Sequence, residues 1–280
     1  MLKRAASLTV ALGLALSLLA AGVYAQQGEW SEPTLWQHST AGVERMMWKD
    51  GDTLYFAKDY DIYTSEWDAL WNVWLEPVPV PGPINTGANE INPCIVGGGR
   101  VMYFARYSPL TDYDFYRSVW DEGQGAWGEP EKIEEISTDD QEWDIWVDEA
   151  ETVLYLTTKG AFGGTEPLGG RDVWKSTRVG DRWTTPVNLG PPINTEGNEW
   201  SIFVDPAGRV YVDGQRDETA GGYDVYVAED TSSEPRNLGA PINSGDDERC
   251  VWVGEGEIWI SIPNGEGGAG NYDIWYTTRQ

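Results

Sequence analysis

The sequence predicts an all-β fold: a five-bladed β-propeller of four-stranded antiparallel blades, closed into a ring by the N-terminal strand. Three observations carry that expectation. A unit best seen from Trp183 to Asp230 recurs five times, at intervals of about fifty residues, the length of a propeller blade. Each copy consists of short apolar runs separated by Gly, Pro and Asn turns, which is the pattern of strands and not of helices. The repeats also begin with an orphan fourth strand, Trp30-Ser31-Glu32-Pro33, and end after a third strand at Trp275-Tyr276-Thr277. Joining the two ends completes a blade and removes two free sheet edges.

Ahead of the repeats, Lys3 and Arg4 precede an apolar run that ends in the small-residue pattern Val23-Tyr24-Ala25. That is the make-up of a secretory signal peptide over residues 1–25. Residues 26–280 then form one propeller domain, expected as a monomer in the periplasm or outside the cell, with no membrane insertion after cleavage. The formal charge of −27, from 46 acidic and 19 basic residues, argues against nucleic acid or anionic lipid as a partner. The same acidity is equally read as a general property of the surface, with no specific partner. Cys94 and Cys250 are the only cysteines, which excludes a disulfide-dense scaffold. They fall on inner strands of blades that are not neighbours, so a bridge between them is not the expectation.

Within each repeat one glutamate fixes the alignment: Glu44, Glu90, Glu142, Glu199 and Glu248. Four positions earlier stand Thr40, Thr86, Thr138, Thr195 and Ser244. The glutamate opens an innermost strand covered on both faces, with Trp48, Cys94, Trp146, Phe203 and Trp252 at one shared position. A glycine-containing turn leads to a second strand of constant shape, such as Leu54-Tyr55-Phe56 and Ile258-Trp259-Ile260, whose aromatic and β-branched residues suit packing between blades. The third strand opens on Asp61, Asp114, Asp172, Asp224 or Asp273, each followed after one residue by an aromatic: Tyr63, Tyr116, Trp174, Tyr226 and Trp275. These aromatics share a face with Ser65, Ser118, Ser176, Ala228 and Thr277 and are expected to pack away from solvent. The fourth strand carries an aromatic followed by proline, as in Trp127 to Pro130 and Trp183 to Pro186, which fits an outer edge.

Pro-Ile-Asn-Thr, Asn-Glu, a short strand, a glycine turn and Gly-Gly-Tyr-Asp-Val-Tyr together resemble the repeats of TolB-type, WD-like β-propellers, common in exported bacterial proteins. The resemblance covers essentially all of residues 26–280. It implies the fold and little about activity, because such propellers serve as binding modules, scaffolds and parts of enzymes. Two repeats depart from the pattern, the first at Leu35 to Thr40 and the third at Ile136-Ser137-Thr138 and in a longer glycine-rich loop from Gly160 to Gly170.

The five glutamates are placed by the fold around one mouth of the channel. A hydroxyl four residues upstream makes each a turn lock, repeated because the turn is repeated. The functional alternative is a carboxylate ring for a hard cation such as Ca²⁺; no cofactor is otherwise predicted. Residues present in only one or two blades are the better ligand candidates, because catalysis and recognition need asymmetry. These are Trp143, Asp144, Trp200, Asn92 and the single histidine, His38. The leading reading is a non-catalytic module that recognises a protein or glycan at a channel face. The alternative is a carbohydrate-active hydrolase or lyase with carboxylates at the channel mouth, although Glu142 and Asp144 share one strand and no hydrolase motif is present. An asymmetric mouth with two unlike carboxylates and exposed tryptophans favours the enzyme; a near-fivefold plug of locally bonded residues favours the scaffold.

Overall fold

The computed structural model describes residues 30–216 and 219–280, so the signal peptide expected over residues 1–25 lies outside the described residues. Among the described residues no helix is long and apolar enough to cross a membrane. Five antiparallel sheets follow one another along the chain and make a five-bladed β-propeller.

The first blade shows the plan. Its inner strand Glu44–Asp50 pairs with Thr53–Lys58, which pairs with Asp61–Asp68. The fourth position is split: Val73–Trp74 closes a tight hairpin on the end of the third strand, and Val78–Pro79 pairs further back along it. Blades two and three repeat the split, with Ala126–Trp127 and Glu131–Lys132 in one and Arg182–Trp183 and Val187–Asn188 in the other. Pro130 and Pro186 fall in the gaps, where a residue without an N–H interrupts no ladder.

The N-terminal segment closes the ring through the same split outer position. Thr34–Leu35 pairs with the last strand at Tyr276 and Trp275, while Trp30 makes an isolated bridge to Arg279. Trp30 therefore stands where Trp127 stands in blade two. Trp36, just past this strand, is buried with Phe56, Trp259 and Ile274, so closure buries a core residue as well as an edge.

The core lies between blades. Leu54, Phe56, Met102, Phe104, Leu154, Leu156, Val212 and Ile260 from the second strands are all fully buried, each stabilising by about 1.5–3 kcal/mol over exposure. The third strands correct one expectation. Ile62, Phe115, Val173, Val225 and Ile274, between the aspartate and the aromatic, are fully buried throughout, whereas among the aromatics only Trp174 and Tyr226 are. Tyr63, Tyr116 and Trp275 keep solvent contact, whereas Trp174 is covered by Phe162 from the long loop of its own blade, ring to ring at 5.3 Å. The small residues two positions later are buried in every blade.

Each inner strand carries a register shift just after its glutamate. In blades one, two and five the second residue after the glutamate takes a left-handed conformation, with φ of 58° at Met46, 54° at Asn92 and 53° at Cys250. Bulges of this kind re-aim side chains, here toward the channel. Both cysteines are free thiols.

Candidate functional site: the channel mouth

Every repeat glutamate is fully buried and held within its own turn. The upstream hydroxyl donates to the carboxylate at 2.6 Å for Thr40, Thr86 and Thr138, 2.7 Å for Thr195 and 2.5 Å for Ser244. The backbone N–H of the same threonine also donates to Glu44, Glu90, Glu142 and Glu199. Carboxylates bonded one per turn do not converge on one ion, and among the described residues no group of three or more His, Cys, Asp or Glu is placed to hold a metal.

The locks are not equivalent. Glu90 accepts from Arg106 Nε at 2.8 Å, and Lys58 Nζ lies 3.9 Å from Glu44. The cross-strand partner of Glu142 is Thr158, a neutral hydroxyl, and burial pushes this carboxyl up to about 8. Burial likewise raises Glu199 and Glu248 to about 7.

Two repeat positions build the mouth itself. The residue after each glutamate is Arg45, Ile91, Trp143, Trp200 or Arg249; the residue before each third-strand aspartate is Tyr60, Tyr113, Arg171, Tyr223 or Tyr272. The two rings interleave, so that a member of the first packs between the second-ring residues of its own and the preceding blade. Arg45 lies over Tyr60 at 5.2 Å and Tyr272 at 5.0 Å. Trp143 meets Tyr113 edge-on at 5.9 Å, and Trp200 meets Tyr223 at 6.1 Å. Arg171 sits 4.0 Å from the Trp200 ring and 5.1 Å from Trp143, and Arg249 sits 4.1 Å from Tyr223 and 4.9 Å from Trp200. Trp143 and Trp200 touch at 5.2 Å, and Arg45 reaches the Trp143 ring at 5.4 Å. Three guanidiniums and two indoles thus alternate across one opening, each cation over a ring face that attracts it.

Among the described residues these arginines make a single direct ion pair. Asp247 accepts from Arg249 at 2.7 Å, but among the described residues neither Arg45 nor Arg171 has an ion pair. Arg171 is fully buried, and burial lowers its pKa to about 10 against the opposing pull of Asp213. Gln141 Oε1 accepts from its Nη2, while Nε and Nη1 lack partners, as do Nε of Arg45 and Nε of Arg249.

Below this layer the channel narrows to a cavity of about 20 Å³ lined by Met46, Asn92, Asp144, Cys250 and their neighbours. That is room for one water. Asp144 is half-buried on its wall, accepts from Ile202 N at 3.0 Å and is raised to about 7, by burial first and then by Asp213. Asp213, fully buried and also raised by burial, accepts from the backbone N–H groups of Trp200, Ser201 and Cys250 and from Ser201 Oγ. Asn92 Nδ2 donates to the Trp143 carbonyl, leaving Oδ1 without a partner.

The structure thus brings Trp143, Asp144, Trp200 and Asn92 together at the mouth and the channel just beneath it. His38 is elsewhere: its ring meets Trp36 at 5.2 Å, and Nε2 lies 2.9 Å from the Trp74 carbonyl on the outer side of blade one. Reasoning from sequence missed Arg171, Asp213 and the tyrosine ring. The signals were present. The residue before the repeat aspartate is tyrosine in four copies and arginine in one, and the residue after the second-strand core triplet is Ala57, Ala105, Thr157, Asp213 or Ser261.

No family model matches this chain, and no curated protein matches it. Solved structures do. An α-L-arabinofuranosidase from Podospora anserina, crystallised with cellotriose, is 9% identical with a TM-score of 0.55, covering 91% of this chain and 97% of the other. A protein described as an exo-β-1,3-galactanase, from Bifidobacterium bifidum s17, is 12% identical with a TM-score of 0.51, covering 86% and 95%. A gluconolactonase from Xanthomonas campestris is 13% identical with a TM-score of 0.51, covering 91% and 87%. At such identities the likeness establishes the propeller and not an activity.

Proposed function

We propose that this chain is an exported, carbohydrate-directed propeller of the TolB-like repeat type that seats a sugar on the mouth formed by Trp143, Trp200 and their arginines. The observation that carries the reading is the asymmetry of the mouth: two half-exposed indoles in adjoining blades, where the other blades supply arginine or isoleucine. Indole faces stack on the apolar faces of sugar rings, and the surrounding guanidinium and phenol groups supply directed hydrogen bonds. The similar propellers that act on carbohydrates add support for a sugar over a protein ligand, and they support an enzyme as much as a binding module.

Hydrolysis is the second reading, and one observation favours it. Asp144, raised by burial to about 7, lies beside the buried Asp213, likewise raised by burial, and two neighbouring carboxyls are what an acid and a base would require. Against it, a cavity of about 20 Å³ does not admit a sugar, since small-molecule pockets run to about 300–1,000 Å³.

Binding to an oligosaccharide panel, followed by calorimetry, tests the proposal. Trp200→Ala is expected to abolish binding while leaving the melting temperature within a few degrees. A variant that binds as well as wild type would defeat the reading. Release of reducing sugar by wild type but not by Asp144→Asn would move the protein to the enzyme class.

A further inference from the structure

We propose that the ligand of this mouth carries a carboxylate, as a uronic acid residue does, and that Arg45 and Arg249 hold it while Arg171 adds charge from beneath. The inference rests on the mouth being the sugar site, and it names the class of sugar.

The chain has 19 basic residues against 46 acidic ones, yet three arginines gather at one opening with a single carboxylate, Asp247, paired to them. Arg45 and Arg249 come from adjoining blades, both lie beside Tyr272, and both bear on the half-buried Cys250 thiol below. Arg171 is close enough to Arg249 for the two charges to repel. Buried like charges with unpartnered N–H groups are unfavourable until an anion enters. Guanidinium is planar and offers parallel donors that match a carboxylate in two-point contact, which lysine does not. Tyr60, 40% exposed, and the half-exposed Trp143, Trp200, Tyr223 and Tyr272 surround the cations with aromatic groups that a sugar can contact where they meet solvent.

The rest of the surface limits the ligand further. At a net charge of −27 the protein repels a dense polyanion at long range. Isolated carboxylates on a short oligosaccharide meet the arginines without that penalty. Asp112, Asp144 and Asp213 also act on these arginines, but among the described residues none of the three forms an ion pair with them.

Calorimetric titration with oligogalacturonides and with the neutral galacto-oligosaccharides of equal length tests the proposal, alongside sodium acetate and a polyglutamate peptide. The expected result is that the uronide binds and the neutral sugar does not. Arg249→Gln, which removes the most exposed of the three arginines, should weaken uronide binding by about tenfold, the loss of one charge-assisted contact. Arg45→Lys should weaken it as well, because the charge alone does not restore the two-point contact. Circular dichroism of each variant separates lost binding from lost folding. Equal affinity for neutral and acidic sugars would overturn the carboxylate inference and leave the sugar site standing. A stabilising effect of acetate with no sugar bound would support the anion site and remove the carbohydrate reading. Binding of polyglutamate alone would overturn both, as would an absence of binding by every probe.

Discussion

Glu90 and Glu142 occupy the same place in adjoining blades, and replacing each with glutamine is expected to have opposite consequences. Glu90 accepts from Thr86 Oγ1 at 2.6 Å and from Arg106 Nε at 2.8 Å. Its neutralisation leaves a largely buried guanidinium without a carboxylate, at a cost of about 3 kcal/mol at pH 7, the low end for breaking a buried pair. Glu142 has Thr158 where Glu90 has Arg106, one unpartnered oxygen, and a carboxyl that burial pushes up to about 8. A folded-state value above the unfolded one stabilises fully below the unfolded value and is lost as pH rises through the folded value. Between those limits unfolding releases a proton, so stability falls by about 1.4 kcal/mol per pH unit. From pH 5 to 8 the upper bound is about 4 kcal/mol. Glu142→Gln lacks that titration. It should match wild type within about 1 kcal/mol at pH 5 and exceed it by about 2–4 kcal/mol at pH 8. Urea denaturation followed by tryptophan fluorescence at pH 5, 7 and 8 reads both variants. Equal losses for the two, or a gap between Glu142→Gln and wild type that does not change with pH, would refute the reasoning.

Further perturbations probe the ring and its seams. Deleting residues 26–36 removes the closing strand and the buried Trp36, so the melting temperature should fall and the exposed edge should promote self-association; an unchanged, monomeric protein in sedimentation and thermal scans would count against ring closure. Trp174→Ala should cost about 3–5 kcal/mol in urea titration, and Trp275→Ala clearly less, because only the first ring is fully buried; equal losses would contradict the difference in packing. Glu151 ties blade two to blade three by accepting from Arg117 and Arg178, each at 2.8 Å, and from Tyr103 Oη at 2.7 Å; despite partial burial these donors hold it down at about 2. Glu151→Ala should therefore cost about 2–3 kcal/mol near neutral pH. That stability is present above the ordinary carboxyl range and is lost as pH falls toward about 2. An acid-unfolding midpoint identical to wild type would contradict this role.

What the sequence determined by itself is whatever the repeat contains. Strand order within a blade, the glutamate–hydroxyl lock and the complementary ends are local or periodic features, and each is stabilised by neighbours in the same unit or the next. The conformation a short segment adopts is set by turn chemistry and alternation, both of which five copies display repeatedly. The site was legible only in part. Trp143, Asp144, Trp200 and Asn92 stood out because they break the repeat. Arg171 broke it too, at the end of the long third-blade loop, but nothing in its local sequence says that it lies beneath Trp200. Only ring closure decided that. Closing five blades brings position-equivalent residues of distant sequence onto one axis, so Arg45, Arg171 and Arg249 meet across more than two hundred residues of chain. The same closure set the width of the channel, and with it a cavity at Asp144 with room for no more than about one water. A side chain's neighbours across an axis depend on the summed geometry of every blade, which no single repeat encodes.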